Sequence, residues 1–274
     1  MSRFLDIACL QLRPQPTIAE ALKEALPLAR EAVEGGAEML FLPEYCGGLR
    51  SDGPAVAPPS APDDAHPFLS AMQDFARQSS VWINLGSVAV DGPDGRIINR
   101  GFMIGPDGAI AGHYDKIHLF DIQLSEGEVY RESDRVDPGN RAVIHDTPLA
   151  RVGHTICYDL RFAHLFRRLA QAGAQILACP AAFTAQTGAA HWHVLTRARA
   201  IETTRFMVSA AMTGPVPGGG ATYGHSLIVD PWGAVLADGG EGPGVVAARI
   251  DLDMIDAAQG RIPSLMNEAE FTRV

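Results

Sequence analysis

The feature that most constrains the fold is an internal echo between the two halves of the chain. The segment Gly36–Pro43 (GAEMLFLP) resembles Gly173–Pro180 (GAQILACP), which lies 137 residues further on. A second pair, Gly105–Ala109 and Asp230–Ala234, is separated by 125 residues. Chance similarity of short apolar strings is the alternative. A duplication predicts that Pro43 and Pro180 end equivalent strands at one shared rim, so that the residues after them, Glu44 and Ala181, face related places.

The pattern of elements predicts an α/β fold with two sheets. Apolar strand patterns alternate with helical periods in each half, and each half ends in a meander. Two such sheets, each covered by helices on its outer face, form a pseudo-duplicated four-layer α-β-β-α sandwich. The 274 residues suit one domain over 1–274. We expect a long polar connection over 117–140, a helix over 160–172, a short helix over 253–259 and no clear assignment for the tail beyond it.

Composition excludes several classes of function. The net charge of −10 disfavours nucleic acid and anionic membrane surfaces as partners. No apolar run is long enough for a transmembrane helix, and no basic-then-apolar secretory leader is visible. The four cysteines lack C-x-x-C spacing, which predicts reduced thiols in a cytoplasmic protein without structural zinc. His191 and His193 stand two apart and should point to different helix faces, so we expect no metal and no cofactor.

Cys157 is the first candidate for chemistry. It follows an apolar strand and precedes a predicted helix. Backbone N–H groups and the helix dipole at such a turn can stabilise a thiolate. The alternative is a small buried apolar residue. Cys9 and Cys179 each lie inside an apolar strand, and we interpret both as small buried apolar residues.

Glu44 and Lys116 are the second and third candidates. Glu44 follows Pro43 at the end of an apolar strand, where the active sites of open α/β sheets gather. Lys116 ends a strand among apolar and aromatic neighbours. Alone, each could be an ordinary solvated group. Together with Cys157 they supply a nucleophile, a base for its proton and a positive charge for an oxyanion.

These residues lie in motifs that resemble the nitrilase, or carbon–nitrogen hydrolase, superfamily. The motifs are FLPEY around Glu44, YDKIHL around Lys116 and ICYDLRF around Cys157. The resemblance implies an α-β-β-α sandwich that forms a homodimer or higher oligomer through its helix layers. It also implies that Cys157 attacks an amide or nitrile carbon to give a thioester, which water hydrolyses. Glu44 would be the general base and Lys116 the oxyanion partner.

The resemblance implies two further participants in catalysis. The backbone N–H of Tyr158 would be a second oxyanion donor. The superfamily carries a second glutamate near the site, and Glu132 in YRES matches its position. Glu126 and Glu128 lie close by in the sequence and are alternatives for that role.

Three stretches, over 118–121, 187–203 and 223–233, narrow the resemblance to the branch that contains deaminated-glutathione amidase and ω-amidase. That branch implies a small carboxylated amide as substrate. Arg161 would then bind the carboxylate, while Phe183 and Thr187 would line the acyl pocket. A surface ion pair is the alternative for Arg161.

The sequence also departs from that branch. Ala163-His164 stands where relatives usually have Pro-Glu, and the loop over 213–222 lacks the charges often seen there. These departures concern the substrate rather than the mechanism. An ω-amidase, an N-carbamoyl amidohydrolase, a nitrilase and a non-catalytic binding protein on the same scaffold are therefore the alternative functions.

Overall fold

Strands dominate the structure, a computed structural model that describes residues 3–53, 55–125 and 128–272. The helices are α1 Ile18–Glu34, α2 Pro67–Ser79, α3 Ala163–Gln171, α4 Ala185–Thr203 and α5 Asp253–Arg261. The strands before the middle of the chain are β1 Phe4–Gln11, β2 Met39–Phe41, β3 Ser51–Asp52, β4 Ala55–Val56, β5 Ser60–Ala61, β6 Trp82–Asp91, β7 Ile97–Ile104, β8 Ile110–Asp115, β9 Asp121–Ser125, β10 Glu128–Arg131 and β11 Val136–Asp137. Those after it are β12 Val143–Asp146, β13 Arg151–His154, β14 Ile176–Ala178, β15 Phe206–Ser209, β16 Thr213–Pro215, β17 Ala221–Tyr223, β18 Leu227–Val229, β19 Val235–Asp238 and β20 Gly244–Asp251.

Two large sheets share one strand order. The first runs β20-β1-β2-β6-β7, with β8 and β11 also paired to β7 and β5 to β6. The second runs β12-β13-β14-β15-β18-β19. In each sheet three central strands are parallel, and the flanking strands pair antiparallel to them. This correspondence confirms the predicted pseudo-duplication.

Alternating apolar residues place each sheet between two cores. In β1, the side chains of Leu5, Ile7 and Cys9 belong to the core between the sheets. Ala8 and Leu10 belong instead to the core beneath helices α1 and α2. Because side chains along a strand alternate between faces, one apolar strand serves both cores.

The helices cover the outer faces and complete the four layers. Four alanines on one face of α1, together with aromatic and aliphatic residues of α2, cover the first sheet. Leu165, Phe166 and Trp192 of α3 and α4 pack on the second sheet. The α-β-β-α sandwich predicted from the sequence is therefore confirmed. Nowhere in the described ranges does a helix combine the length and apolarity that a bilayer crossing requires.

The two echo segments end at one rim, as predicted. Gly86, within β6, lies against the carbonyl oxygen of Pro43 and the side chain of Pro180. A Cβ atom at this position would overlap both prolines, so glycine permits the close approach. The rim brings the ends of β2 and β14 together, and Glu44 follows one of them while Ala181 follows the other.

Two expectations about local structure are wrong. The connection over 117–140 is not a plain loop, since it contains the antiparallel pair β9 and β10, a 3-10 turn over Glu132–Asp134 and the short strand β11. The helix expected over 160–172 begins later. A separate 3-10 turn spans Cys157–Arg161, and α3 starts at Ala163.

Candidate active site

Glu44 is fixed by the backbone that follows β2. The next residue, Tyr45, has a φ of 53°, a left-handed conformation that non-glycine residues seldom adopt. The Glu44 side chain is only 3% exposed. Its Oε2 accepts a hydrogen bond from the Ala182 N–H at 2.9 Å, and its Oε1 accepts one from Asn99 Nδ2 at 2.9 Å. The carboxylate therefore has one orientation, set by both halves of the molecule.

Lys116 lies between two buried carboxylates. Its ammonium donates to Glu44 Oε1 at 2.8 Å and to Glu132 Oε2 and Oε1 at 2.8 and 3.0 Å. Burial alone would lower the pKa of Lys116, but the charges of Glu132 and Glu44 outweigh burial and raise that pKa well above its usual range. Lys116 is therefore a permanent cation inside the protein.

Glu132 occupies the position that the sequence indicated for a second glutamate. It opens the 3-10 turn over Glu132–Asp134 and is 3% exposed. Besides Lys116, its carboxylate accepts hydrogen bonds from the Tyr45 hydroxyl at 3.1 Å and the Phe120 N–H at 2.7 Å. Of the two alternatives, Glu126 lies outside the described residues and Glu128 lies within β10, whose pairing with β9 precedes the turn.

Cys157 begins the turn after β13 in a left-handed conformation, with a φ of 50°. Its N–H donates to the Pro180 carbonyl at 2.8 Å, which ties it to the rim. Burial, followed by the negative charge of Glu44, raises the pKa of the Cys157 thiol well above its usual range. The expected thiolate stabilisation by a helix N-terminus finds no support, because α3 begins six residues later and the pKa of the thiol is raised rather than lowered.

Asp159 holds the turn of Cys157 against the strand that carries Lys116. Its side chain is fully buried and accepts hydrogen bonds from the Ile156 N–H at 2.8 Å, the Tyr114 hydroxyl at 2.7 Å and the His118 N–H at 3.1 Å. Tyr114 and His118 stand two residues either side of Lys116. One carboxylate therefore fixes the spacing between the nucleophile and the cation.

A cavity opens over these groups. Glu44, Lys116, Glu132 and Cys157 all line it. Of the residues predicted to bind substrate, Tyr158, Phe183 and Thr187 also line it. Aromatic and aliphatic side chains make up most of the remaining wall, namely Leu49, Val56, Phe120, Tyr130 and Val216. A few convergent polar groups in a largely apolar wall are typical of a small-molecule site.

Arg161 lies beside the cavity rather than on its wall. Its guanidinium carbon is 5.4 Å from the centre of the Phe183 ring and 5.8 Å from that of Tyr158. One guanidinium nitrogen lies 3.3 Å from His191 Nδ1. Among the residues that the structure describes, no carboxylate forms an ion pair with Arg161. The alternative of a surface ion pair therefore finds no support.

Sequence reasoning missed three groups that orient the charges. Asn99 donates to Glu44, Tyr45 donates to Glu132, and Asp159 joins the turn to the strand. Tyr45 and Asp159 stand inside the motifs FLPEY and ICYDLRF, so their proximity to candidate residues was a usable signal. Asn99 lies in an ordinary strand pattern, and nothing in the sequence sets it apart.

The fold and this site define a class of enzyme, the carbon–nitrogen hydrolases. Residues 6–259 match the carbon–nitrogen hydrolase family, and the chain belongs to it. It is a hydrolase of carbon–nitrogen bonds. The predicted superfamily and sandwich are confirmed.

Particular relatives lie within that family. The chain is 39% identical to a deaminated glutathione amidase of Synechocystis over 265 residues, covering 95% of this chain and 96% of that protein. It is 34% identical to the mouse omega-amidase NIT2 over 265 residues, covering 97% and 95%. The crystal structure of the C. elegans NitFhit protein superposes with a TM-score of 0.88 at 32% identity. That match covers 97% of this chain and 65% of NitFhit.

Proposed function

We propose that this protein is a cysteine-dependent amidase that cleaves a small carboxylated amide, of the kind represented by deaminated glutathione, through a thioester. The observation that carries the proposal is the convergence of Glu44, Lys116 and Cys157 in one cavity. The names of the relatives support the substrate class, since they include deaminated glutathione amidase and omega-amidase.

The first half-reaction forms the thioester. Cys157 Sγ attacks the amide carbon while its proton passes to Glu44, which acts as general base. The oxyanion that forms is stabilised by the Lys116 ammonium and the backbone N–H of Tyr158. Glu44 then returns the proton to the departing amine, and the C–N bond breaks.

The second half-reaction regenerates the enzyme. Glu44 takes a proton from water, which attacks the thioester carbon. The same oxyanion donors stabilise the second tetrahedral intermediate. As the C–S bond breaks, Glu44 returns its proton to Sγ, which releases the carboxylic acid and restores the Cys157 thiol. Glu132 does not exchange protons in this scheme. Its two hydrogen bonds to Lys116 hold the ammonium in place.

Charge balance explains why a neutral thiol suffices as the resting nucleophile. With both carboxylates ionised, Glu44, Glu132 and Lys116 carry one net negative charge. Transfer of the thiol proton to Glu44 creates one anion and removes another, so the net charge of the buried cluster does not change. A preformed thiolate would instead add a second uncompensated negative charge in a low-dielectric site, which is costly.

Arg161 supplies the cation for the carboxylate of the substrate. Lys116 is buried and already paired with Glu44 and Glu132, and its remaining role is towards the oxyanion. The guanidinium of Arg161 stands next to Tyr158 and Phe183 at the edge of the cavity, and planar guanidinium groups bind carboxylates through two parallel hydrogen bonds.

A substrate panel tests the proposal. The panel comprises deaminated glutathione, α-ketoglutaramate, a simple nitrile and an N-carbamoyl amino acid, with amine or ammonia release measured for each. We expect the highest kcat/KM with one of the two keto-acid amides. Cys157→Ala is the control for contaminating activity. Preference for the nitrile or the carbamoyl compound would overturn the substrate class, and no turnover of any amide would overturn the function.

We also propose that the protein is a cytoplasmic homodimer that pairs through α4. Val194 and Ile201 on α4 are 68% and 48% exposed, and Trp232 nearby is 52% exposed, so this helix face leaves apolar area uncovered. The four unpaired cysteines suit a reducing compartment. Light scattering should give twice the chain mass, and Ile201→Glu should shift it to the monomer. A wild-type monomer would contradict the pairing.

A further inference from the structure

A cluster of two imidazoles and a carboxylate lies outside the catalytic cavity. His193 comes from α4, His225 follows β17, and Asp238 ends β19. His193 Nε2 lies 3.0 Å from Asp238 Oδ2, and His225 Nδ1 lies 2.8 Å from Asp238 Oδ1. One ligand atom from each residue lies within 4.8 Å of the other two.

We propose that this cluster is a site for a divalent transition metal such as Zn²⁺. Two imidazole nitrogens and one carboxylate oxygen form a donor set that Zn²⁺ binds at about 2.0–2.2 Å. The three side chains are between 21% and 35% exposed, so water can complete the coordination. The donors are borderline in softness, which disfavours Mg²⁺ and Ca²⁺.

The backbone around the cluster is fixed without any metal. His225 has a φ of 54°, which is a strained conformation for a residue with a side chain. Its N–H donates to the Gly240 carbonyl at 2.7 Å, and its carbonyl accepts from Trp192 Nε1 at 2.7 Å. Asp238 Oδ1 also accepts a hydrogen bond from the Gly240 N–H at 2.9 Å. These contacts orient two of the three ligands in advance, which lowers the entropy lost on binding.

The cluster supports one wall of the catalytic cavity. The Tyr223 ring stacks on His225 with ring centres 4.5 Å apart, and it meets His193 edge-on at 6.0 Å. The Tyr223 N–H donates to the carbonyl of Phe183 at 2.9 Å, and its neighbour Thr222 lines the cavity. A bound metal would therefore join α4 to the strand that carries this wall. Its role would be structural, at a distance from the reacting atoms.

The competing interpretation is a metal-free cluster in which both imidazoles donate to Asp238. The hydrogen bonds from His193 and His225 help to lower the pKa of Asp238, although burial opposes them. Both interpretations share the geometry, but only the first predicts saturable metal binding that depends on all three side chains.

Calorimetric titration with ZnCl₂ tests the site. Chelator-treated protein carrying Cys157→Ala is used, because the catalytic thiol is itself a zinc ligand. We expect one equivalent of Zn²⁺ to bind. His193→Gln and Asp238→Asn should each weaken binding about tenfold or more. His191→Gln is the matched control, since His191 lies on the same helix but contacts Arg161, and it should bind as the parent does.

Hydrogen exchange provides a second measurement that does not depend on activity. Zn²⁺ should slow exchange of the Tyr223 and His225 amides in the parent and leave His193→Gln unaffected. Equal affinity in parent, His193→Gln and Asp238→Asn proteins would overturn the site, as would no binding by a correctly folded parent. Neither experiment measures hydrolysis, so failure of the metal site can be distinguished from failure of the proposed amidase function.

Discussion

The two sheets place their strands alike but carry different chemistry at the strand ends. Strand β1 pairs with β2 in the register Cys9 to Phe41, and β13 pairs with β14 in the register His154 to Ala178. Three residues beyond Cys9 and His154, the same correspondence makes Leu12 of the first sheet equivalent to Cys157 of the second. It likewise sets Glu44 against Ala181, so at these strand ends the first half contributes Glu44 and the second half contributes Cys157.

The backbone conformation is also similar at equivalent positions of the two halves. Gly36 and Gly173, the first residues of the echo segments, both have a φ of 94°. Ser80 and Thr204, which end α2 and α4, have φ values of 55° and 52°. The shared scaffold thus preserves its turns, while the side chains at the rim have diverged. The active site therefore requires both halves, since neither strand end is sufficient alone.

The largest expected effect distinguishes the cysteines of the two halves. Cys157→Ala should reduce kcat by about 10⁴-fold or more, because no other group forms the thioester. Cys9→Ala, a buried cysteine of the first sheet, should keep kcat and lose only some stability. Steady-state kinetics and thermal unfolding of both variants measure kcat and stability. Substantial turnover by Cys157→Ala would exclude a thioester on Cys157.

The order of alkylation should also distinguish Cys157 from the other three cysteines. Cys157 is 6% exposed and lines the cavity, whereas Cys9, Cys46 and Cys179 are fully buried. Iodoacetamide should therefore modify Cys157 first, as read by peptide mass spectrometry. Simultaneous modification of all four thiols in folded protein would contradict this order.

Removal of the buried cation should have the next largest effect. Lys116→Met should lower kcat by about 10²–10³-fold, because an oxyanion donor is lost. It should also lower the melting temperature, since Glu44 and Glu132 would face each other without compensation. The double variant Lys116→Met with Glu132→Gln removes one of those charges and should recover stability but not kcat. Recovery of kcat as well would assign Lys116 a structural role only.

His154 provides a pH test of the two halves, because its counterpart in the first sheet is Cys9. Burial, together with His145, lowers the pKa of His154 to about 3, and burial lowers that of His145 to about 4. The unfolded chain therefore binds more protons below pH 6.5, so stability falls as the pH falls towards those values. The loss due to His154 should be about 3 kcal/mol between pH 6.5 and pH 4.

Urea denaturation at each pH measures that loss. His154→Gln should be less stable than the parent near pH 7, since it disturbs contacts to Asn84 and Gly86, yet its stability should vary less with pH. Cys9→Ala should follow the slope of the parent. An unchanged slope in His154→Gln would show that other groups control the acid sensitivity.

The smallest expected effect concerns Arg161. Arg161→Ala should raise KM about tenfold for a carboxylated amide, as expected for loss of one charge-assisted contact, and leave KM for a neutral amide nearly unchanged. Arg168→Ala on α3 is the matched control, because the Arg168 side chain is exposed and hydrogen-bonds Gln171 rather than facing the cavity. Equal increases for both substrates would mean that Arg161 supports the cavity rather than the carboxylate.

The sequence predicted what depends on local patterns. Period-two alternation indicated the sheets, and the echo of Gly36–Pro43 in Gly173–Pro180 indicated their common order. The motifs around Glu44, Lys116 and Cys157 indicated residues that do meet in space.

The remaining features depend on contacts between distant segments. The β9–β10 pair was missed although Ile122 and Leu124 alternate with polar residues, because the two strands are short and lie in an otherwise polar stretch. The state of Cys157 is set by burial and by Glu44, which stands 113 residues away in the chain. His193 meets its partners His225 and Asp238 only through the packing of α4 on the second sheet.

The net negative charge of the buried cluster has a consequence for the end of the catalytic cycle. Hydrolysis turns the neutral amide group of the substrate into a carboxylate at the point where Glu44 and Glu132 already outnumber Lys116. Like charges in a dry site repel strongly, so the newly made acid should leave readily and re-enter poorly. We expect an inhibition constant for the product well above the KM of the substrate, which would keep the reaction running in one direction as product accumulates.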